Sequence, residues 1–296
     1  MGMSSSSNST LLINCLIGLS TKNPDFPYPL FDNGFLIETI EPRILLSDGS
    51  QANPDIQFKK HENLLLFFEC KDGYCEKEQL ERYKKLTIDD IKRQKITSLT
   101  STDVNFDLAY FASKEKEEKI IPSVEKDGNT FPILILEKSG IKMNPKSNNF
   151  KNSLLNDIFK EIPIQSPLPR NYIPFMIDDS DKIILCALLQ HFMIRIDYQF
   201  NLDKLLEDLF PHLIHNYSDK AIKDLKGRLG NLLRDLMNRD EFMGTIVLRD
   251  KIYYIKTTRP KSFMKSCQKL ITGMKEEMLK EEEKEIHTQL TLETFF

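Results

Sequence analysis

What this sequence has little of sets its bounds. Five cysteines, Cys15, Cys70, Cys75, Cys186 and Cys267, are scattered through 296 residues. Their number is odd and no two stand as C-x-x-C. That pattern implies no disulfide framework and argues against a zinc site or an iron–sulfur cluster. A reducing interior is the expected compartment. Long apolar runs are also missing. Leu11 to Leu19 is short, interrupted by Asn14 and without a basic flank, so we expect a first core helix, with no membrane partner and no signal peptide. Charge of one sign is not in large excess. A net charge of −3 excludes a wholly basic nucleic-acid coat and leaves local patches open. With 40% hydrophobic and 29% charged residues, the chain reads as an ordinary globular protein, long enough for two domains.

What is present centres on residues 53 to 83. Pro54-Asp55 opens a short strand-like run, and His61, Glu62 and Asn63 make a polar turn. Leu64 to Phe68 and Cys70 then surround two charges, Glu69 and Lys71. Strand side chains alternate at period two, so Glu69 and Lys71 share one face while Cys70 points to the other. An apolar run of this kind suggests a central strand buried on both sides. Two charges there are expensive unless paired or holding a metal. Asp55, paired back through the turn, reaches the same place. An Asp and a Glu beside a Lys make the hard, oxygen-rich cation site that Mg²⁺ prefers.

This arrangement resembles the PD-(D/E)xK nuclease superfamily: Pro54-Asp55, then, fourteen positions on, Glu69-Cys70-Lys71. Gln79 and Tyr83, at i and i+4 on one helix face, are similar to the Q-x-x-x-Y motif of RecB-type members. The acidic residue usual ahead of the hairpin falls to Glu41 or Glu38. The resemblance implies an α/β, restriction-endonuclease-like core that hydrolyses phosphodiester bonds. Mg²⁺, with Mn²⁺ able to substitute, would rest on Asp55, Glu69 and the Cys70 backbone carbonyl, with Glu41 as a further ligand. Lys71 would position the attacking water, and Gln79 and Tyr83 would orient metal, phosphate or displaced strand. The four-cysteine cluster of some RecB-type nucleases has no counterpart here.

Around this centre, MGMSSSSNST reads as disordered, the three prolines between residues 23 and 33 as a loop, and Phe35 to Leu46 as a strand. The helix bearing Tyr83 is expected to run to about Lys95. Strands follow at Val104 to Phe111 and Phe131 to Leu136, with a solvated KEKEEK segment at 114 to 119. The first domain is placed at 1–140 and a linker, rich in proline and polar residues, at 141–174.

Residues 175–275 read as a second, mostly α domain. Lys182 to Ile196 and Leu202 to Phe210 have helical spacing, Pro211 stops the second helix, and Ser218 caps a third. That third helix has a core stripe of Ile222, Leu225, Leu229, Leu232, Leu233 and Leu236. Two β runs, Thr245 to Leu248 and Lys251 to Lys256, flank Arg249-Asp250. Three helices and a hairpin resemble a winged helix. Between Ser218 and Lys275, 14 Lys or Arg stand against 6 Asp or Glu, a local +8. Lys220, Lys223, Lys226, Arg228, Arg234 and Lys251 are the expected DNA contacts. His191, His212 and His215 give no metal site.

Residues 276–296 form a charged tail. Its end, Gln289, Leu292, Phe295 and Phe296, resembles the PCNA-interacting peptide of sliding-clamp clients, a helix-in-groove ligand. Together these expectations describe a Mg²⁺-dependent DNA endonuclease tethered to a PCNA clamp in replication or repair. A homodimer is compatible with them. The setting is an archaeal cytoplasm, or a nucleus if eukaryotic. A restriction-like or defence nuclease, and a silent DNA-binding clamp adaptor, are the competing readings.

Overall fold

The computed structural model describes residues 8–61, 63–93, 104–126, 128, 130–164, 172–195, 198–256 and 260–293. The fold is mixed α/β, as the sequence leads one to expect. The chain divides into two compact units, one of Asn8–Met176 with Phe210–Lys223, the other of Ile177–Leu209 with Asp224–Phe296.

The first unit opens with α1 (Asn8–Leu19), whose apolar run is buried almost throughout. The helix starts at Asn8, inside the stretch read as disordered. A short α2 (Pro29–Asp32) occupies part of the expected proline loop, with proline at the N-terminus where its missing N–H costs nothing. The strand expected over Phe35 to Leu46 is two pieces, β1 (Phe35–Ile40) and β2 (Ile44–Leu45), and β2 pairs with β3 (Gln51–Ala52). They part at Glu41, which has a left-handed φ of +52°.

Next comes the hairpin of β4 (Ile56–Lys60) and β5 (Leu64–Lys71), antiparallel with Ile56 opposite Phe68. Then α3 (Lys77–Lys85) and α4 (Ile88–Arg93) replace the single helix expected to reach Lys95. Thr87 and Asp90 explain the break, because they form a capping box. The Thr87 N–H donates to Asp90 Oδ2 at 3.1 Å and the Asp90 N–H to Thr87 Oγ1 at 3.2 Å. Residues 94 and 95 lie outside the described residues.

The unit continues with β6 (Asn105–Ser113), α5 (Glu117–Lys126), β7 (Ile133–Glu137), β8 (Gly140–Met143), α6 (Ser153–Phe159) and β9 (Ile162–Pro163). Seven strands form one sheet in the order β1-β4-β5-β6-β7-β8-β9, with β5, β6 and β7 parallel. The sheet therefore runs on past residue 140, and the segment expected to be a linker carries two strands and a helix. Its polar composition conceals short elements held by side-chain caps. Asp107 accepts the Lys151 and Asn152 N–H groups at 2.9 and 3.1 Å, and Asn152 caps α6. Gly140 is the closest approach: a Cβ there would lie 2.1 Å from the Ile162 carbonyl oxygen. Gly140→Ala is expected to cost about 1–3 kcal/mol or more as β9 is forced away. Thermal unfolding followed by circular dichroism checks this, and an unchanged Tm would refute it.

Alternation in β5 divides its side chains between the two faces of the sheet. Leu65 and Phe67 pack with Leu80, Tyr83, Tyr110 and Ile133 in one core cluster. On the other face, Phe68 meets Phe58 and Phe159 edge-on, and α1 packs on β5 and β6. Glu69 and Lys71 continue the Leu65–Phe67 face toward α3.

The second unit contains α7 (Asp181–Met193), β10 (Gln199–Phe200), α8 (Leu202–Leu209), α9 (Asp219–Met237, within this unit from Asp224), β11 (Ile246–Arg249), β12 (Ile252–Ile255) and α10 (Pro260–Glu293). Its sheet has three strands, β10-β12-β11, where the sequence suggests a two-stranded hairpin. β10 is two residues long and escapes any period-two pattern. Phe200 stacks on Tyr253 at 5.4 Å and fixes it in place. Leu225, Leu229, Leu232, Leu233 and Leu236 of α9 are buried as expected. Among the described residues, no helix is long and apolar enough to cross a membrane.

Candidate functional site

The five residues singled out by motif spacing converge in the first unit. β5 ends with Glu69 and Lys71 pointing toward α3, and the i, i+4 spacing of Gln79 and Tyr83 turns both toward β5. Lys71 Nζ lies 2.8 Å from Glu69 Oε1 and also donates to Gln79 Oε1. The Gln79 amide nitrogen donates to Glu69 Oε1 at 2.8 Å. Glu69 Oε2 meets the Tyr83 hydroxyl, which is also 3.0 Å from the Asn53 carbonyl. Both oxygens of Glu69 are thus engaged.

Asp55 stands immediately before β4, joined by backbone to the neighbouring strands. Its N–H donates to the Phe68 carbonyl at 2.9 Å, and its carbonyl accepts the Glu41 N–H at 2.7 Å. The Cys70 N–H reaches Asp55 Oδ2 at 2.6 Å. Glu41 therefore adjoins Asp55 through the backbone, and its side chain is buried. Glu38 falls in the β1 bulge, where the register with β4 shifts between Ile37 and Thr39.

Burial governs the electrostatics. Glu69 is 4% exposed, and the Lys71 side chain 15%. Burial by itself lowers the Lys71 pKa, but Glu69 and Asp55 outweigh it and hold the ammonium above the ordinary lysine value. Lys71 is consequently a charged donor at neutral pH, not a base. Burial, with the Glu69 and Asp55 charges, pushes the Tyr83 phenol well above its usual value, so it stays protonated. Burial also raises the Cys70 thiol, which faces away from Glu69 toward Cys15 and offers no thiolate to a cation.

Among the described residues, no three His, Cys, Asp or Glu side chains gather around one point. Two acidic side chains suit Mg²⁺, which keeps several waters and is commonly bound by one or two carboxylates plus substrate phosphates. The all-oxygen donor set of Asp55, Glu69 and the Cys70 carbonyl fits such an ion.

Sequence reasoning missed two polar residues beside the site. Asn53 anchors Tyr83 through its carbonyl, which no side-chain pattern reveals. Gln57, fully buried, shares the Asp55 face of β4, and among the described residues neither of its amide atoms has a partner. Period-two alternation would have pointed to Gln57.

The expected DNA contacts fare unevenly. Lys220, Lys223 and Lys251 are exposed. Lys226 is paired with Asp203. Arg234 is turned back on Gly230 and Asn231 of its own helix. Arg228 is committed to the fold, donating to the Ile177 and Asp179 carbonyls and to Asp181. These carbonyls lead into α7 and need a donor, so the guanidinium is spent there. His191 is a core residue whose Nε2 is buried without a partner among the described residues. Gln289 and Leu292 fall within the span of α10, and Phe295 and Phe296 lie outside the described residues.

One protein-family model matches the chain, that of the MJECL32 domain, over residues 8–173. No curated protein and no solved structure matches.

Proposed function

The chain belongs to the MJECL32 domain family, and we propose that it is a metal-dependent deoxyribonuclease, an endonuclease in preference to an exonuclease. One observation carries this reading: Glu69, Lys71, Gln79 and Tyr83 form a single buried hydrogen-bonded network, with Asp55 bonded to the Cys70 N–H beside it. The mixed α/β sheet, in which the acidic hairpin of β4 and β5 lies between β1 and β6, is compatible with a restriction-endonuclease-like core.

Mg²⁺ bound by Asp55, Glu69 and the Cys70 carbonyl would polarise the phosphate and lower the pKa of its bound water. The chain's own residues do the rest. Lys71, held charged, donates to the developing anion. Gln79 fixes Lys71 and Glu69 relative to each other through one planar amide. Tyr83 holds the second oxygen of Glu69, so the carboxylate cannot rotate.

In the second unit, the order helix, strand, helix, helix, strand, strand supports a winged-helix-like module. Its DNA contacts would rest on exposed lysines, with Arg228 removed from the set. The clamp reading rests on the spacing of Gln289, Leu292, Phe295 and Phe296 alone. Removing residues 289–296 is expected to eliminate retention on an immobilised PCNA clamp, and undiminished retention would discard that part.

The nuclease reading is tested with labelled single strand, duplex, flap, fork and mismatch DNA in Mg²⁺ or Mn²⁺. Cleavage that a chelator stops is the expected result. No cleavage of any substrate, with or without clamp, would reject it in favour of a DNA-binding adaptor.

A further inference from the structure

Beyond β5 the chain turns at Asp72-Gly73 and reaches Tyr74, a residue that is 62% exposed. Among the described Phe and Tyr residues it is the most exposed. Single exposed apolar residues are ordinary. What sets Tyr74 apart is where it stands and how its loop is held. It stands three positions beyond Lys71, no more than about 11 Å of chain.

The loop is pinned on both sides of the ring. Asp72 pairs with Lys116 at 3.1 Å and accepts the Asn8 amide at 2.8 Å. On the far side, the Cys75 N–H donates to Ser123 Oγ at 3.1 Å, and Cys75 itself is buried. Two fixed points three residues apart leave the backbone at Tyr74 little freedom. A tyrosine has only two χ angles, so little entropy is lost when it meets a ligand. Tyr74 is not a member of the core cluster that Leu65, Phe67 and Tyr83 build.

We propose that Tyr74 is a stacking platform for an unpaired nucleobase next to the phosphodiester held at Asp55, Glu69 and Lys71. This deepens, and rests on, the nuclease reading. It assigns the site a substrate class: DNA whose strand is single or frayed at the point of cleavage. A base in an intact duplex has both faces covered by its neighbours and cannot stack on a side chain. Every base has a π face, so the contact tolerates any sequence.

The test uses the full chain with Ca²⁺ in place of Mg²⁺. Binding of a fluorescent single strand is measured for wild type, Tyr74→Ala and Tyr74→Phe, beside cleavage in Mg²⁺. Tyr74→Ala is expected to weaken binding about tenfold or more, and Tyr74→Phe to retain it. On strands of abasic sites, wild type and Tyr74→Ala should bind alike. Cleavage by wild type with equal affinity of Tyr74→Ala for the normal strand would overturn the stacking role and leave the nuclease intact. An equal loss on normal and abasic strands would also overturn it, assigning Tyr74 to the backbone or the fold. A wild-type chain that neither binds nor cuts would remove both.

Discussion

Lys71→Ala is expected to lower the rate of DNA cleavage by about 10²- to 10³-fold at saturating substrate and metal, the loss typical when a single preorganised donor to a developing anion is removed. The ammonium is 2.8 Å from Glu69, bonded to Gln79 and kept charged by its surroundings. Alanine takes away that donor and leaves the carboxyl groups of Asp55 and Glu69 in place. Metal binding should therefore persist while turnover falls. Lys71→Arg is not a rescue, because a planar fork cannot occupy the point position between Glu69 and Gln79. Single-turnover kinetics on the preferred substrate check this. Cleavage by Lys71→Ala at the wild-type rate would remove Lys71 from the mechanism.

The second large effect is on stability. Glu69→Ala would leave the buried Lys71 ammonium without its counter-ion and deprive both Gln79 and Tyr83 of an acceptor. Breaking a buried pair from one side costs about 3–5 kcal/mol. Glu69→Gln keeps the shape and acceptor oxygen, so its cost should be smaller. The pH dependence has a definite sign. Lys71 is held above its ordinary value of 10.5, so its contribution is complete at neutral pH and is lost as pH rises through the folded-state value. Urea unfolding at neutral pH checks the magnitude. A shift equivalent to less than about 1 kcal/mol would mean that water replaces Glu69 with ease.

These residues were legible because their rules are local. Period two places Glu69 and Lys71 on one face, and i, i+4 spacing places Gln79 and Tyr83 on another. An apolar strand between them leaves few ways to satisfy the charges. The helix at Asn8–Leu19 and the stripe of α9 were readable for the same reason. What escaped depends on contacts distant in sequence or on elements too short to show a period. β8, α6 and β9 hide in a polar stretch because Asp107 caps the loop from far along the chain. The two residues of β10 are defined by their partner β12. Arg228 looked like a DNA contact because charge can be counted in a sequence and carbonyl partners cannot.

The proposed nuclease needs a cation held between Asp55 and Glu69, and Mn²⁺ binding tests for it without assuming turnover. Titration of the wild-type protein with Mn²⁺, followed by electron paramagnetic resonance of the free ion, should show saturable binding that Mg²⁺ displaces. In Asp55→Ala that binding should be lost, with the fold intact by circular dichroism. Equal binding by the two proteins, or none by either, would contradict the assignment of these acidic residues to a metal-dependent nuclease.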